Sequence, residues 1–173
     1  MCSPGASASP PPAADPLFAA LYGEGHRLCS IPNPQLSLVL SHHRAIDLIE
    51  LEALCDAVGW SRRPLRRVSK ALDHSLLRVS LWRHDPRLPK LVGFARCTGD
   101  GVIDATIWDV AVHPLYQGVG LGRQLMDYLL LQLREMGVAR VSLFADPGVV
   151  SFYAGQGWDL EPQERRCAFW YSS

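Results

Sequence analysis

The chain has no long apolar run, no excess of either charge and no cysteine pattern, and each lack removes a class of protein. Apolar stretches such as Leu129-Leu130-Leu131 are far shorter than the roughly 18 residues that cross a bilayer, so no membrane span is expected. Seventeen Lys and Arg are matched by seventeen Asp and Glu. A formal charge of zero supplies no field to gather nucleic acid or anionic lipid, which leaves small molecules or other proteins as the expected partners. The five cysteines, Cys2, Cys29, Cys55, Cys97 and Cys167, form no C-x-x-C pair and no metal-type spacing with histidine. His42, His43 and His113 are isolated in the same sense. No metal is expected, and a reducing, cytoplasmic setting is the simplest reading.

What remains is an ordinary globular composition, 173 residues with 48% hydrophobic and 20% charged, which suits one domain. Residues 1–16 are rich in Pro, Ala and Ser and hold no Lys or Arg. They are expected to be a disordered tail, without the charged start and apolar stretch of a secretory signal or the arginines of a transit peptide. The folded domain is expected over residues 17–173.

Periodicity then gives an order of elements. Residues 36–40 alternate as a strand, and Ile46, Leu48, Ile49, Leu51, Leu54 and Val58 follow at helical spacing up to Gly59. A second helix is predicted over 61–74, with Ser61 as its N-cap. Strands are predicted over 75–82, 90–97 and 105–112 as an antiparallel meander. Leu121, Leu125, Leu129 and Leu133, joined by Met126 and Leu130, mark one face of a helix over 121–136. A strand over 141–145, a helix over 149–155 and strands over 158–160 and 167–171 complete a mixed α/β chain around a partly antiparallel sheet.

Three glycines, Gly118, Gly120 and Gly122, lie between the strand over 105–112 and the long helix. A helix entrance offers unpaired N–H groups and about half a positive charge, and residues lacking Cβ let a pyrophosphate approach the backbone. A glycine turn with no ligand is the plainer alternative. A P-loop would need Gly-Lys-Ser/Thr, where Arg123 follows the last glycine instead. Asp146, at the end of the next strand, fits a ribose contact of a dinucleotide fold, but G-x-G-x-x-G would require glycine at the position of Arg123.

The stretch Val112-His-Pro-Leu-Tyr-Gln-Gly-Val-Gly-Leu-Gly-Arg-Gln-Leu-Met126 resembles the central motif of the GNAT superfamily of N-acetyltransferases, V-x-P-x-x-Q/R-x-x-G-x-G/A, and Ser151-Phe-Tyr-Ala-Gly-Gln-Gly-Trp158 is similar to its F-Y-x-x-x-G-F/W segment. Val58-Gly-Trp-Ser-Arg-Arg-Pro64, Ala105-Thr-Ile-Trp-Asp-Val110, Leu143-Phe-Ala-Asp146 and Phe169-Trp-Tyr171 extend the resemblance to the plastid and cyanobacterial branch that includes serotonin N-acetyltransferases. Pro147 departs from the Asn that relatives tend to carry. The resemblance implies the GNAT acyl-CoA N-acyltransferase fold, of the α/β (α+β) class. In it a mixed, mostly antiparallel sheet has splayed middle strands between which acetyl-CoA lies. It implies a cosubstrate site of Val110, Ala111, Val112, Gln117, Gly118, Val119, Gly120, Leu121, Gly122, Arg123 and Tyr153. It also implies a small-molecule or protein amine as partner, and a plastid location if the source is a photosynthetic eukaryote. Assembly as a homodimer is left open.

Acetyl transfer to an amine needs a base, a donor to the thioester oxygen and an acid for the departing thiolate. Asp109 is the one ionisable residue within the apolar run over 105–112, and burial would push an unpaired carboxyl toward the strength of a base. Pairing with an arginine is the alternative. Strand alternation puts Ile107, Asp109 and Ala111 on one face and Trp108, Val110 and Val112 on the other, unless a bulge intervenes. By the resemblance, Tyr153 stands where a tyrosine protonates the CoA sulfur, with core packing as the alternative. Asp146 would bind an ammonium or support Tyr153, or remain a solvated loop carboxylate. The N–H groups of Val110 or Val112 would serve the carbonyl oxygen or the pantetheine arm. Trp108, Phe169, Trp170 and Tyr171 would wall an arylalkylamine, with packing of a terminal aromatic strand into the core as the alternative. A protein N-terminal or lysine acetyltransferase is the second reading, and a non-catalytic acyl-CoA-binding module the third.

Overall fold

The computed structural model describes residues 26–28, 38–43, 45–83 and 89–162. The expected tail over 1–16, the strand over 167–171 and the aromatic candidates Phe169, Trp170 and Tyr171 lie outside the described residues. Six strands form one sheet in sequence order: β1 (His26–Leu28), β2 (Leu38–Ser41), β3 (Leu77–Arg83), β4 (Lys90–Gly99), β5 (Asp104–Val112) and β6 (Arg140–Leu143). All neighbours are antiparallel except β5 and β6, which run parallel. The fold is therefore the mixed, mostly antiparallel sheet expected, with β1 added at one edge. Three residues carry too short a pattern to announce a strand. The strand predicted over 158–160 does not form; that segment leaves the last helix irregularly.

Helix α1 (Leu48–Ala57) starts where the Asp47 carboxylate accepts the N–H groups of Ile49 and Glu50, at 2.8 and 3.2 Å. It ends with Gly59 N–H on the Asp56 carbonyl and Trp60 N–H on the Cys55 carbonyl, paired bonds that turn Trp60 back over the helix. Helix α2 (Leu65–Asp73) begins at Pro64 rather than at Ser61, because no side chain caps it and proline supplies the entrance. Helix α3 (Leu121–Glu135) buries Leu121, Leu125, Met126, Tyr128, Leu129 and Leu133, close to the predicted stripe. Helix α4 (Val150–Ala154) follows a 3₁₀ turn over Pro147–Val149.

The sheet separates two apolar clusters. On one face, α3 and Tyr153 of α4 pack with Val79, Ala95, Ala105, Ile107 and Val112. On the other, Leu51, Leu54 and Leu72 of α1 and α2 pack with Trp82, Leu91, Phe94 and Ala111. Strand β5 contributes to both, and it changes parity between them. Ile107 and Val110 lie toward the α3 side, so two residues, Trp108 and Asp109, stand where simple alternation allows one. The pairing with β4 shows the same insertion: Trp108 faces Arg96 and Ala111 faces Phe94, leaving Asp109 and Val110 opposite Ala95. This is a β-bulge, and Asp109 takes the left-handed conformation at φ +53°, a region Asp enters more readily than most residues. The alternation read from sequence, with Ile107, Asp109 and Ala111 on one face, is corrected here.

Candidate active site

Two openings meet at β5. The first lies along its edge, where pairing with β6 runs from Asp104 and Arg140 to Ile107 and Leu143 and stops. Beyond it, 108–112 have no strand on that side among the described residues. The His113 N–H donates to the Val92 carbonyl of β4. Alternation along the strand then turns the N–H of Ala111 toward β4 and those of Val110 and Val112 toward the open edge. Ala111, expected beside them, is committed to β4, and its methyl group to the α1–α2 core.

At the end of this opening the chain turns through Pro114–Tyr116, where the His113 ring accepts the Leu115 N–H. The Gln117 amide donates to the Val112 carbonyl at 2.7 Å, tying the glycine loop to the end of β5. Gly118 and Gly120 hold φ of +78° and +85°, conformations open to glycine at little cost, and a Cβ on either would meet nothing within 4 Å. The first hydrogen bond of α3 runs from Gln124 N–H to the Gly120 carbonyl, so the N–H groups of Leu121, Gly122 and Arg123 have no partner inside the helix. Val119 and Arg123 are exposed. Gly122 answers a different need: a Cβ there would come to 3.3 Å from the Phe152 ring, so its small size lets α4 sit against α3.

Tyr153 is buried at 6% exposure, edge-on to Phe152 and Trp158 at 5.1 and 6.1 Å between ring centres. Burial pushes its phenol above the usual value, and the neighbouring Asp146 carboxylate adds to the rise. Asp146, just past β6, and Tyr153 of α4 are thus close enough to interact.

The second opening is a cavity of about 280 Å³ between α1, α2 and the bulged strand. Its walls are mostly apolar, with Leu51, Cys55, Trp60, Val68 and Phe94 among them, and Asp109 and Arg96 sit at its sheet side. Trp108 is not drawn into it: its indole N–H donates to Thr98 at 2.9 Å and its ring lies 5.4 Å from Phe144. The aromatic wall comes instead from Trp60 and Phe94, which sequence reading did not place. Asp109 is not a lone carboxylate. Its Oδ2 receives Arg96 Nε at 2.5 Å and its Oδ1 receives Arg63 Nη1 at 3.1 Å, so the paired alternative describes it. Cys55 in the same wall has its thiol pushed up by burial first and by Asp109 second.

Residues 45–158 match the Acetyltransferase (GNAT) family. Over 156 residues the chain is 61% identical to an uncharacterized N-acetyltransferase, ycf52-like, of Prochlorococcus marinus, covering 90% of this chain and 87% of that one. Two plant relatives differ in the acceptor they are named for. Histone acetyltransferase TAP1 of Glycine max is 40% identical, over 78% of this chain and 61% of its own. Serotonin N-acetyltransferase 2, chloroplastic, of rice is 39% identical, over 74% and 64%. A crystal structure of a probable acetyltransferase from methicillin-resistant Staphylococcus aureus superimposes with a TM-score of 0.64 at 26% identity, over 78% of this chain and 99% of that one.

Proposed function

Because the chain belongs to the GNAT family of acetyltransferases, we propose that it transfers an acetyl group from acetyl-CoA to a primary amine by direct attack in a ternary complex, the amine being an arylalkylamine such as serotonin. The observation that carries this reading is the left-handed pair Gly118 and Gly120 at the entrance of α3, beside the open edge of β5. That cradle fits a diphosphate. It is bare of side chains, and the N–H groups of Leu121, Gly122 and Arg123 converge there with the positive end of the helix. When bound, acetyl-CoA supplies the activated acyl group.

The chain's own residues divide the remaining work. Val110 and Val112 donate N–H groups across the open edge to the pantetheine arm or the thioester oxygen, and strands that have parted leave those donors free for it. Tyr153, kept protonated by burial and by Asp146, donates a proton to the departing sulfur. Asp109 receives the amine from the cavity side, and the proton that the ammonium must shed before attack passes through this carboxylate to solvent at the rim. Trp108 and Phe144 give the opening an aromatic margin. The apolar cavity with Trp60 and Phe94 supports an aromatic acceptor, as does the name of the rice relative. The soybean relative's name supports a protein amine as the second reading. A setting in a cyanobacterial cell or a plastid is supported by the Prochlorococcus and chloroplastic relatives.

Calorimetric titration with CoA and a turnover screen of acetyl-CoA against arylalkylamines, polyamines, lysine peptides and free peptide N-termini test the proposal. Binding of CoA with acetylation of arylalkylamines is the expected result. Acetylation of peptides alone would move the assignment to the second reading, and an absence of CoA binding would overturn both.

A further inference from the structure

Asp109 is held asymmetrically. Arg96 belongs to β4, is 15% exposed and grips Oδ2 from within the sheet. Arg63 belongs to the segment between α1 and α2, is 62% exposed, and reaches Oδ1 across the cavity that both residues line. The first pair is part-buried within the sheet, while the second lies at a wet rim, where ion pairs contribute about 0.2–1 kcal/mol and exchange readily. An amine that enters the cavity as its ammonium needs one carboxylate oxygen at the cavity, and Oδ1, which the cavity-lining Arg63 reaches, is the oxygen at its rim. That oxygen is already occupied by a cation of the protein's own.

We infer that Arg63 is a displaceable cap on the acceptor site: its guanidinium occupies the place of the substrate ammonium at Asp109 Oδ1 and leaves when the amine binds, while Arg96 stays. This inference rests on the reading of the cavity as the amine site. The exchange replaces one cation by another, so Asp109 is not left uncompensated in either state, and no buried charge is stranded while the cavity is vacant. The arrangement selects for a cation on an apolar body. A neutral aromatic would have to enter without displacing Arg63, and would gain only the walls. The segment bearing Arg63 also carries Trp60, so release of the cap is tied to the aromatic wall of the cavity. Of the other arginines in the cavity wall, Arg62 is engaged by Asp56 at 2.6 Å and by Glu52 at 3.7 Å, whereas Arg63 is the one that reaches Asp109 Oδ1.

Removing the cap should therefore tighten amine binding, contrary to the usual effect of deleting a residue that lines a pocket. The test is calorimetric titration of phenylethylammonium, and of benzyl alcohol as a neutral control, into the wild type, Arg63→Ala and Arg63→Lys, followed by steady-state kinetics. Arg63→Ala is expected to bind the ammonium about 1.4- to fivefold more tightly, the factor that a rim ion pair of this class corresponds to, with no change for the alcohol. Arg63→Lys keeps a competing cation and should stay near the wild type. In turnover, the amine KM should fall in Arg63→Ala while the acetyl-CoA KM holds. Unchanged or weaker ammonium binding in Arg63→Ala, equal tightening toward the alcohol, or no ammonium binding to any of the three proteins would overturn the inference. The binding readout does not require turnover, so a protein that shows the Arg63 effect yet acetylates nothing would refute the enzymatic reading and leave the cap standing.

Discussion

Gly120 and Gly122 differ in what a methyl group would do. At Gly120 there is room for Cβ but a φ of +85°, so Gly120→Ala introduces a conformational penalty of about 1–2 kcal/mol without a clash. We expect that loss in urea unfolding, together with weaker CoA binding by calorimetry, because relief of the strain moves the N–H groups of the cradle. At Gly122, already within the first turn of the helix, the penalty is absent and the half-exposed Phe152 ring is the neighbour that must give way. Tyr153→Phe should lower kcat by roughly 10²-fold or more, the size of a general-acid contribution, with CoA affinity held; stopped acetylation assays and CoA titration of one preparation measure both. Equal loss in the two would make Tyr153 a packing residue. The turn at Gly118 and Gly120 could be read from sequence because glycines directly before an amphipathic stripe mark a helix entrance, with or without a ligand. The arginine partners of Asp109 could not, since Arg63 and Arg96 are distant in sequence and no local pattern marks a residue that will meet another across a sheet.

Among the elements, α1 is the one on which the acceptor cavity depends, because Leu51, Cys55 and, through its turn, Trp60 all come from it. Its start hangs on the two hydrogen bonds of Asp47. Asp47→Ala should cost about 1 kcal/mol in thermal unfolding and loosen amine binding more than CoA binding, since the proposed CoA cradle at the entrance of α3 makes no use of α1. Helices were the more legible elements: α3 follows a period-3.6 stripe and α1 ends at the glycine that sequence marks. The second helix starts later than its first hydrogen-bonding side chain suggests, because Pro64 gives the chain a fixed dihedral that Ser61 does not. In β5 period-2 reading failed at one residue. A carboxylate inside an apolar strand looks like a misplaced charge, and nothing in a one-dimensional pattern says that it occupies an inserted position.

At the scale of the whole molecule, the two cores share the central strands, and the titration of one buried group there should register in overall stability. Cys97 of β4 is fully buried in the α3-side core, and burial pushes its thiol up to about 11 from 9.0. The folded chain therefore keeps this proton where the unfolded chain sheds it. The stability involved is fully present below pH 9 and is lost as pH rises toward 11, about 2–3 kcal/mol at roughly 1.4 kcal/mol per unit. Urea unfolding of the wild type between pH 8 and 11 should show that decline, and Cys97→Ala should lack it, so that the difference between the two proteins falls over the same range. Burial of Tyr153 and Tyr128 acts in the same direction above pH 10, where each phenol would ordinarily begin to ionise.

The inserted residue in β5 has one more implication. Excise Asp109 and the strand closes into an ordinary ladder: Trp108 opposite Arg96, Val110 opposite Ala95, Ala111 opposite Phe94, with each apolar side chain still on the face it now occupies. A one-residue deletion inside a strand normally turns its inner face outward and ruins the protein. Here the shortened chain should retain its circular dichroism spectrum, with Arg96 hydrated by the cavity, and lose acetyl transfer. Architecture and reactivity would come apart at a single codon, which makes that deletion a cleaner control than any substitution.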